Sequence, residues 1–283
     1  MISTMAPSCQ HRQAVKGGSY LKQWQQYQLI RELGKGGTSH VYLAADKADG
    51  RKFAVKRYET SEDFLSAKRE FQLMQKLCHP GIACVFERIS EKEGGAIVME
   101  YVPGSTLKER IVRQGKISEP EAVSWGIELC DILAYLHRQQ PAVLYRDLKP
   151  SNIMITPAGH VKLIDFGAAL CCDWQGEAVS DAVGTRGYAA PEQFVRQRAL
   201  GMSVDVYGFG ATMFHMLTGR CPGSFTGKVP ASEKMKAVMS KCMQKKPENR
   251  YRFFEEIKRD LEYPGVPRMT SRGFQITRSE IRC

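Results

Sequence analysis

What this chain lacks narrows the field first. No uncharged apolar stretch reaches the length of a bilayer crossing; the longest candidate, Val206 to Leu217, is too short and contains His215. The first residues have no apolar core of the kind a secretory signal needs, so a soluble chain is expected. The nine cysteines are odd in number and include no Cys-x-x-Cys pair. They suggest neither a disulfide framework nor a zinc site, and reduced thiols in a cytoplasmic compartment are expected instead. Acids are missing from residues 1–26, where Arg12, Lys16 and Lys22 stand unopposed, and scarce in 263–283, where four arginines face Glu280 alone.

Those two ends carry +3 each, which leaves +5 of the formal +11 for the middle of the chain. That remainder suits a domain that binds a polyphosphate, and no nucleic-acid partner is expected. The ends read as a solvated leader and a solvated tail, with contact to a membrane surface or an acidic partner as the alternative. The 283 residues suffice for one large or two modest domains, and 43% hydrophobic against 25% charged content is ordinary for a globular protein.

From Tyr27 the apolar period is two: Tyr27, Leu29 and Leu33, then Val41, Leu43 and Ala45, then Phe53 and Val55. Asp49-Gly50 supplies a turn, so these runs predict an antiparallel meander, against which Trp24 and Tyr27 would pack. Gly34, Gly36 and Gly37 fall at its first bend, and fit a hairpin tip as well as a phosphate cradle. Alternation places Ala54 and Lys56 on one face, where Lys56 is either a solvated lysine or a phosphate ligand. Thr60 to Asp63 predicts a capped helix start, with Phe64, Ala67, Phe71, Met74 and Leu77 as its apolar face and His79-Pro80 as its end. Glu70 sits among those apolar residues and needs a partner.

Residues 96–104 form an apolar strand running into Pro103 and Gly104. Ser118 to Glu121 predicts a second capping box, ahead of a helix faced by Ala122, Trp125, Leu129, Leu133 and Leu136 and closed by His137 as a C-terminal cap. Two polar clusters follow, bracketing β-like segments: Leu-Tyr-Arg-Asp-Leu-Lys-Pro-Ser-Asn over 144–152, then Val-Lys-Leu-Ile-Asp-Phe-Gly over 161–167. Asp147, Asn152 and Asp165 suit an active site at the ends of a hairpin. One carboxylate faces a nucleophile, while an amide oxygen and a second carboxylate hold a divalent metal. Phosphoryl transfer needs these parts, because its transition state is managed by positioning and charge neutralisation.

This stretch resembles the catalytic loop and Asp-Phe-Gly of eukaryotic-type protein kinases. The likeness runs over about 27–262 with every motif in kinase order. The Gly-Lys-Gly-Gly-Thr-Ser-His-Val-Tyr opening and Gly-Tyr-Ala-Ala-Pro-Glu-Gln are most similar to bacterial Ser/Thr members. It implies ATP and Mg²⁺ as cofactors and proteins bearing Ser or Thr as substrates. Asp147 is implied as the group that accepts the substrate's proton, and Lys149 as the one that neutralises the transferring phosphoryl group. Asn152 and Asp165 would hold magnesium. Lys56 would meet phosphates and pair with Glu70. Leu33, Gly34, Gly36, Val41, Ala54, Met99 and Met154 would line the nucleotide site, and the backbones of Glu100 and Val102 would meet the base. Ser39 stands where a third glycine is usual, and Tyr145 stands where histidine is usual, in a packing position. The run Ser203-Val-Asp-Val-Tyr-Gly-Phe-Gly is similar to the buried helix that anchors the catalytic loop, and Glu192 would pair with Arg250.

The implied fold is α+β and two-lobed: a small antiparallel sheet with one helix over 27–99, a hinge over 100–104, and a mainly helical lobe over 105–262. Residues 1–26 are then a flexible basic leader and 263–283 a basic tail. Arg146 would receive a phosphate on Ser180, or one of Asp173, Glu177 and Asp181 in its place. Thr185 would pack against Asp147 and Lys149. Cys171 and Cys172 are read as space-filling thiols, with redox gating as the alternative. Between Thr218 and Ser240 the chain is compressed relative to the family. The competing functional classes are an ATP-binding scaffold without catalysis and a small-molecule kinase. Oligomeric state and physiological substrate are not legible in the sequence.

Overall fold

A computed structural model describes residues 26–172, 178–180, 183–195, 198–224 and 227–262. The expected leader, including Trp24, and the expected tail lie outside the described residues, apart from Gln26. Two compact units meet in sequence at Pro103–Gly104.

The first unit is built on the predicted meander. Strands β1 (Tyr27–Lys35), β2 (Ser39–Asp46), β3 (Lys52–Tyr58), β4 (Val85–Ser90) and β5 (Gly95–Glu100) pair antiparallel in the order β1-β2-β3-β5-β4. The Asp49-Gly50 turn joins β2 to β3, with Gly50 at φ 73°. One face of the sheet buries Tyr27, Ala44, Phe53, Val55, Ile89, Ala96 and Val98 as a continuous apolar cluster. Helix α1 (Ser61–Met74) packs against β3, β4 and β5. Thr60 caps it by accepting from the Asp63 amide at 3.1 Å, and its hydroxyl donates to the Asp63 carboxylate at 2.6 Å. The helix ends at Met74, ahead of the predicted His79-Pro80 stop. β1 departs from strict alternation, and Leu29 and Ile30 are exposed. Register shifts between Leu29 and Arg31 and between Glu32 and Gly34 turn the side chains that follow each bulge, Ile30 among them, to the other face.

The second unit is mainly helical. Helices α2 (Leu107–Gln114), α3 (Glu119–His137), α4 (Ser203–Thr218), α5 (Glu233–Cys242) and α6 (Phe254–Glu262) carry it. Short ladders hold the segments between them: β6 (Ser105–Thr106), β8 (Ile153–Ile155) and β9 (Val161–Leu163) in one sheet, β7 (Val143–Leu144) with β10 (Leu170–Cys171), and β11 (Ala178–Ser180) with β12 (Arg198–Leu200). In α3 the expected face, Ala122, Trp125, Leu129, Leu133 and Leu136, is buried. α4 buries thirteen of its sixteen residues, the mark of a helix inside a core rather than on its surface.

Two capping expectations are corrected. Ser118 makes no side-chain bond to the α3 backbone; its hydroxyl donates instead to Glu121 at 2.9 Å. A reciprocal capping box forms at Thr106 and Glu109, ahead of α2. His137 does not cap α3 either. Its Nε2 lies 2.8 Å from Asp205, a stronger attraction than that of exposed helix-end carbonyls. Over 218–240 the described chain forms a short 3-10 turn, Pro222–Ser224, and then α5.

A buried ion pair ties the 3-10 turn Pro191–Phe194 to the loop before α6. Arg250 meets both carboxylate oxygens of Glu192, at 2.6 and 2.9 Å, and donates further to the carbonyls of Gln244, Ser203 and Lys245. Removing one partner strands the other charge in a dry site. Arg250→Met is therefore expected to cost about 3–5 kcal/mol in denaturant unfolding. Adding Glu192→Met should recover part of that loss, a non-additivity that a double-mutant cycle measures.

Candidate active site

Cross-strand register sorts the predicted residues of the first unit. Val41 faces Lys56, Ala54 faces Met99, and Gly34 faces Val41. Directly opposed residues share a face, so Val41, Ala54, Lys56 and Met99 lie together, opposite the apolar cluster. Lys56 Nζ meets both oxygens of Glu70 at 3.0 Å, and the Glu70 side chain is only 4% exposed. The partner that Glu70 required is thus present. A second one was missed: the Tyr58 hydroxyl donates to Glu70 Oε2 at 3.1 Å. Tyr58 lies two residues beyond Lys56 in the same strand, so alternation alone places it on that face. Burial first, and then the neighbouring carboxylate, hold its phenol well above the usual range.

At the glycine bend the Gly36 amide donates to the Ser39 carbonyl at 2.7 Å, and Ser39 is buried. A Cβ added at Gly34 or Gly37 would meet nothing within 4 Å. Crowding by the chain itself therefore does not call for glycine there, and the bend has room for a ligand to approach the backbone. Met99 is buried in β5, Leu33 is half-buried in β1, and Val102 is buried beyond β5. The Glu100 amide donates to the Cys84 carbonyl at 2.8 Å.

In the second unit the catalytic-loop residues converge. Asp147 Oδ1 accepts from the Thr185 hydroxyl at 2.7 Å, and its Oδ2 accepts from Lys149 Nζ at 2.7 Å and Asn152 Nδ2 at 3.0 Å. Lys149 Nζ also donates to Thr185 Oγ1 at 2.7 Å, which closes a triangle of acid, base and hydroxyl. The expected packing of Thr185 is therefore formed. With its amide nitrogen turned to Asp147, Asn152 presents its oxygen on the other side, where the Ser151 hydroxyl reaches it at 3.3 Å. Asp165 accepts from the Gly167 amide at 3.1 Å. An amide oxygen and a carboxylate form a hard, oxygen-only donor pair, which fits magnesium held jointly with phosphate oxygens. Met154 is half-buried in β8, opposite Lys162 and Thr106.

The loop is held from beneath. Asp205, 1% exposed, accepts from the amides of Tyr145 at 2.9 Å and Arg146 at 2.7 Å, besides meeting His137. Arg146 adopts a left-handed φ of 65°, uncommon for a residue with a side chain. Tyr145 is fully buried, edge-on to Phe166 with ring centroids 5.0 Å apart. Burial and the carboxylates of Asp165, Asp147 and Asp205 push its phenol up. Arg146 is buried too; its Nε donates to the Ala168 carbonyl at 2.6 Å, and burial lowers its pKa. Gln193, which closes the Gly-Tyr-Ala-Ala-Pro-Glu-Gln run without an assigned role, accepts from the Ala190 amide and donates to the carbonyls of Arg146 and Val183, at 2.9, 2.9 and 3.0 Å. Cys172 is buried with Leu144, Ala190, Leu200, Val204 and Tyr207, and Cys171 is exposed. Asp173, Glu177, Asp181 and the Ser180 side chain lie outside the described residues, although the Ser180 backbone pairs with Arg198.

Comparison with known proteins follows the same line. Residues 27–261 match the family described as protein kinase domain. The chain is 34% identical over 269 residues to serine/threonine-protein kinase PknB of Mycobacterium tuberculosis, covering 83% of this chain and 42% of that protein. It is 30% identical over 282 residues to serine/threonine-protein kinase PrkC of Bacillus subtilis, covering 90% and 43% respectively. A probable serine/threonine-protein kinase PknB of Bifidobacterium longum is 34% identical over 273 residues, covering 83% and 39%. The chain thus spans less than half the length of these relatives. No helix among the described residues is long and apolar enough to cross a membrane. A kinase-type motif order, a Lys56–Glu70 pair and a catalytic loop anchored on Asp205 accompany that match, and the chain belongs to the protein kinase domain family.

Proposed function

We propose that this chain is a serine/threonine protein kinase that moves the γ-phosphoryl group of ATP to Ser or Thr hydroxyls of proteins, with magnesium. The observation that carries the reading is the Asp147–Lys149–Thr185 triangle. There a carboxylate already accepts from a threonine hydroxyl, beside an ammonium group 2.7 Å away. A substrate hydroxyl taking a similar place would give its proton to Asp147 as its oxygen attacks the γ-phosphorus. The bond to the β–γ bridging oxygen breaks in line, and Lys149 meets the charge on the transferring group. Magnesium would neutralise phosphate charge when bound, held by the Asn152 amide oxygen and the Asp165 carboxylate. Lys56, fixed by Glu70 and Tyr58, would meet the phosphates. The glycine bend with Leu33, Gly34, Gly36 and Val41, together with Ala54, Met99, Met154 and the Glu100 and Val102 backbones, would hold the nucleotide.

The kinase domain is assigned to 27–262, with a hinge at 100–104 between lobes at 27–99 and 105–262 and a basic segment at each end. None of the seven described cysteines is joined in a disulfide, which supports work in a reducing cytoplasm. A non-catalytic scaffold finds no support, since Lys56, Asp147 and Asp165 are all present and partnered.

Lys56→Met should abolish autophosphorylation while far-ultraviolet circular dichroism stays native; retained turnover would remove Lys56 from the phosphate-binding set. Asp147→Asn should lower kcat by about 10²-fold or more with little change in ATP affinity. Asp165→Asn should instead raise the magnesium concentration needed for half-maximal rate. Identical magnesium titrations for the two variants would sink the separate roles.

A further inference from the structure

A pocket of about 440 Å³ lies within the second unit, lined by Gly104, Ser105, Arg110, Arg113, Ile155 and the Thr156–Gly159 turn. None of the residues assigned above to catalysis or to nucleotide binding lines it. That volume is within the range of ligand sites, about 300–1,000 Å³.

The polar chemistry of its wall is one-sided. The turn has largely satisfied itself: Thr156 Oγ1 bonds the His160 amide and carbonyl, the Gly159 amide bonds the Thr156 carbonyl at 2.9 Å, and the Gly159 carbonyl takes Trp125 Nε1 at 2.9 Å. Pro157 has no amide hydrogen to give. What remains is the pair of guanidinium groups from α2. Arg110 and Arg113 are three apart, so both project from one side of the helix. Arg110 meets a single carboxylate, Glu121, at 3.4 Å, and its Nε is buried without an acceptor among the described residues. Arg113 is exposed and reaches only the Ser105 hydroxyl, at 3.4 Å. Two cations with one acid leave a net positive wall rich in unused donors, the arrangement that takes carboxylate or phosphate oxygens in pairs.

The rest of the lining is apolar or bare backbone. Pro157 and Ala158 are exposed and offer a surface for an aliphatic side chain, with the buried Ile155 beneath them, and Gly104 keeps the rim open. A Cβ at Gly104, whose φ is 124°, would fall 2.0 Å from the Ile155 carbonyl oxygen. An anionic group next to an aliphatic one describes a stretch of peptide better than a free small anion.

We propose that this pocket docks an acidic segment of the protein substrate, a peptide that carries a carboxylate or phosphate side chain beside an aliphatic residue, apart from the Ser or Thr to be phosphorylated. That the segment belongs to a substrate rests on the kinase reading. The anion site itself does not.

Two measurements on the full chain test it. The first is fluorescence anisotropy with a labelled dodecapeptide of alternating Leu and Glu, its Gln counterpart, and a counterpart with phosphoserine for one Glu. The Glu and phosphoserine peptides should bind, and the Gln peptide should bind at least about tenfold more weakly. Arg113→Gln should weaken the two acidic peptides by about tenfold, and Arg113→Glu by more. The ratio of the Glu and phosphoserine affinities tells which anion the site favours. Equal binding of the Glu and Gln peptides, or unchanged affinity in both Arg113 variants, overturns the proposal. So does full displacement of the peptide by inorganic phosphate at equal concentration, since the site would then take any small anion.

The second is steady-state phosphorylation of a short Ser peptide, with and without the acidic segment attached. Arg113→Glu should raise KM about tenfold for the extended substrate only, with kcat unchanged for both. A chain that binds the acidic peptide through Arg113 but phosphorylates neither substrate would overturn the kinase reading and leave the docking site standing.

Discussion

The second unit depends on a single buried carboxylate. Asp205 sits in the first turn of α4, where unpaired helix amides favour negative charge, and it is almost completely removed from water. A bare carboxylate there would be costly, so its oxygens must be occupied. The groups that occupy them are the amides of Tyr145 and Arg146 and the ring of His137. Desolvation of one acid thereby fixes the path of the catalytic loop. A left-handed residue with a side chain costs roughly 1–2 kcal/mol, and Arg146 is held in that state by the carboxylate that takes its amide. Thr212, two turns further along α4, donates to the Leu148 carbonyl at 3.1 Å and secures the loop on the far side of Asp147.

The ion pairs of this chain fall into two physical kinds. Lys258 with Asp131, and Lys236 with Glu233, stand half in water at 2.7 Å, and pairs of that sort contribute little, about 0–1 kcal/mol. Lys56–Glu70 and Arg250–Glu192 are different, because every member is largely buried. Their worth lies less in net stability than in the cost of any arrangement that separates them. The first fixes α1 against β3, and the second fixes the Pro191–Phe194 turn against the loop before α6.

Much of this was legible in the sequence, for reasons that differ by residue. Alternation in β2 and β3 and the spacing of Ala122 to Leu136 are periodic signals, and periodicity survives folding wherever one face is buried. Asp147, Asn152 and Asp165 stand out in the sequence because phosphoryl transfer, the reaction proposed for them, restricts which side chains serve at which intervals. The failures share another cause. The bulges in β1, the Asp205 contact that drew His137 away from a helix end, and the loss of a cap at Ser118 are contests between local and distant partners. A sequence shows the local contender only. Tyr58 carried a local signal, since alternation puts it on the Lys56 face, whereas the role of Gln193 shows only once the Arg146 carbonyl, far back along the chain, is in place.

Gln193 carries one more implication. Its oxygen receives an amide and its nitrogen serves two carbonyls, so one side chain, 1% exposed, reads both polarities of the backbone around it. Glutamate has the same length and shape but brings a second oxygen against two carbonyl oxygens. Lysine brings donors and no acceptor for Ala190. Asparagine has the right chemistry and falls one methylene short. Each of these replacements loses or opposes at least one of the three bonds that glutamine makes at that reach, although Gln193 touches neither nucleotide nor substrate in the proposed reaction.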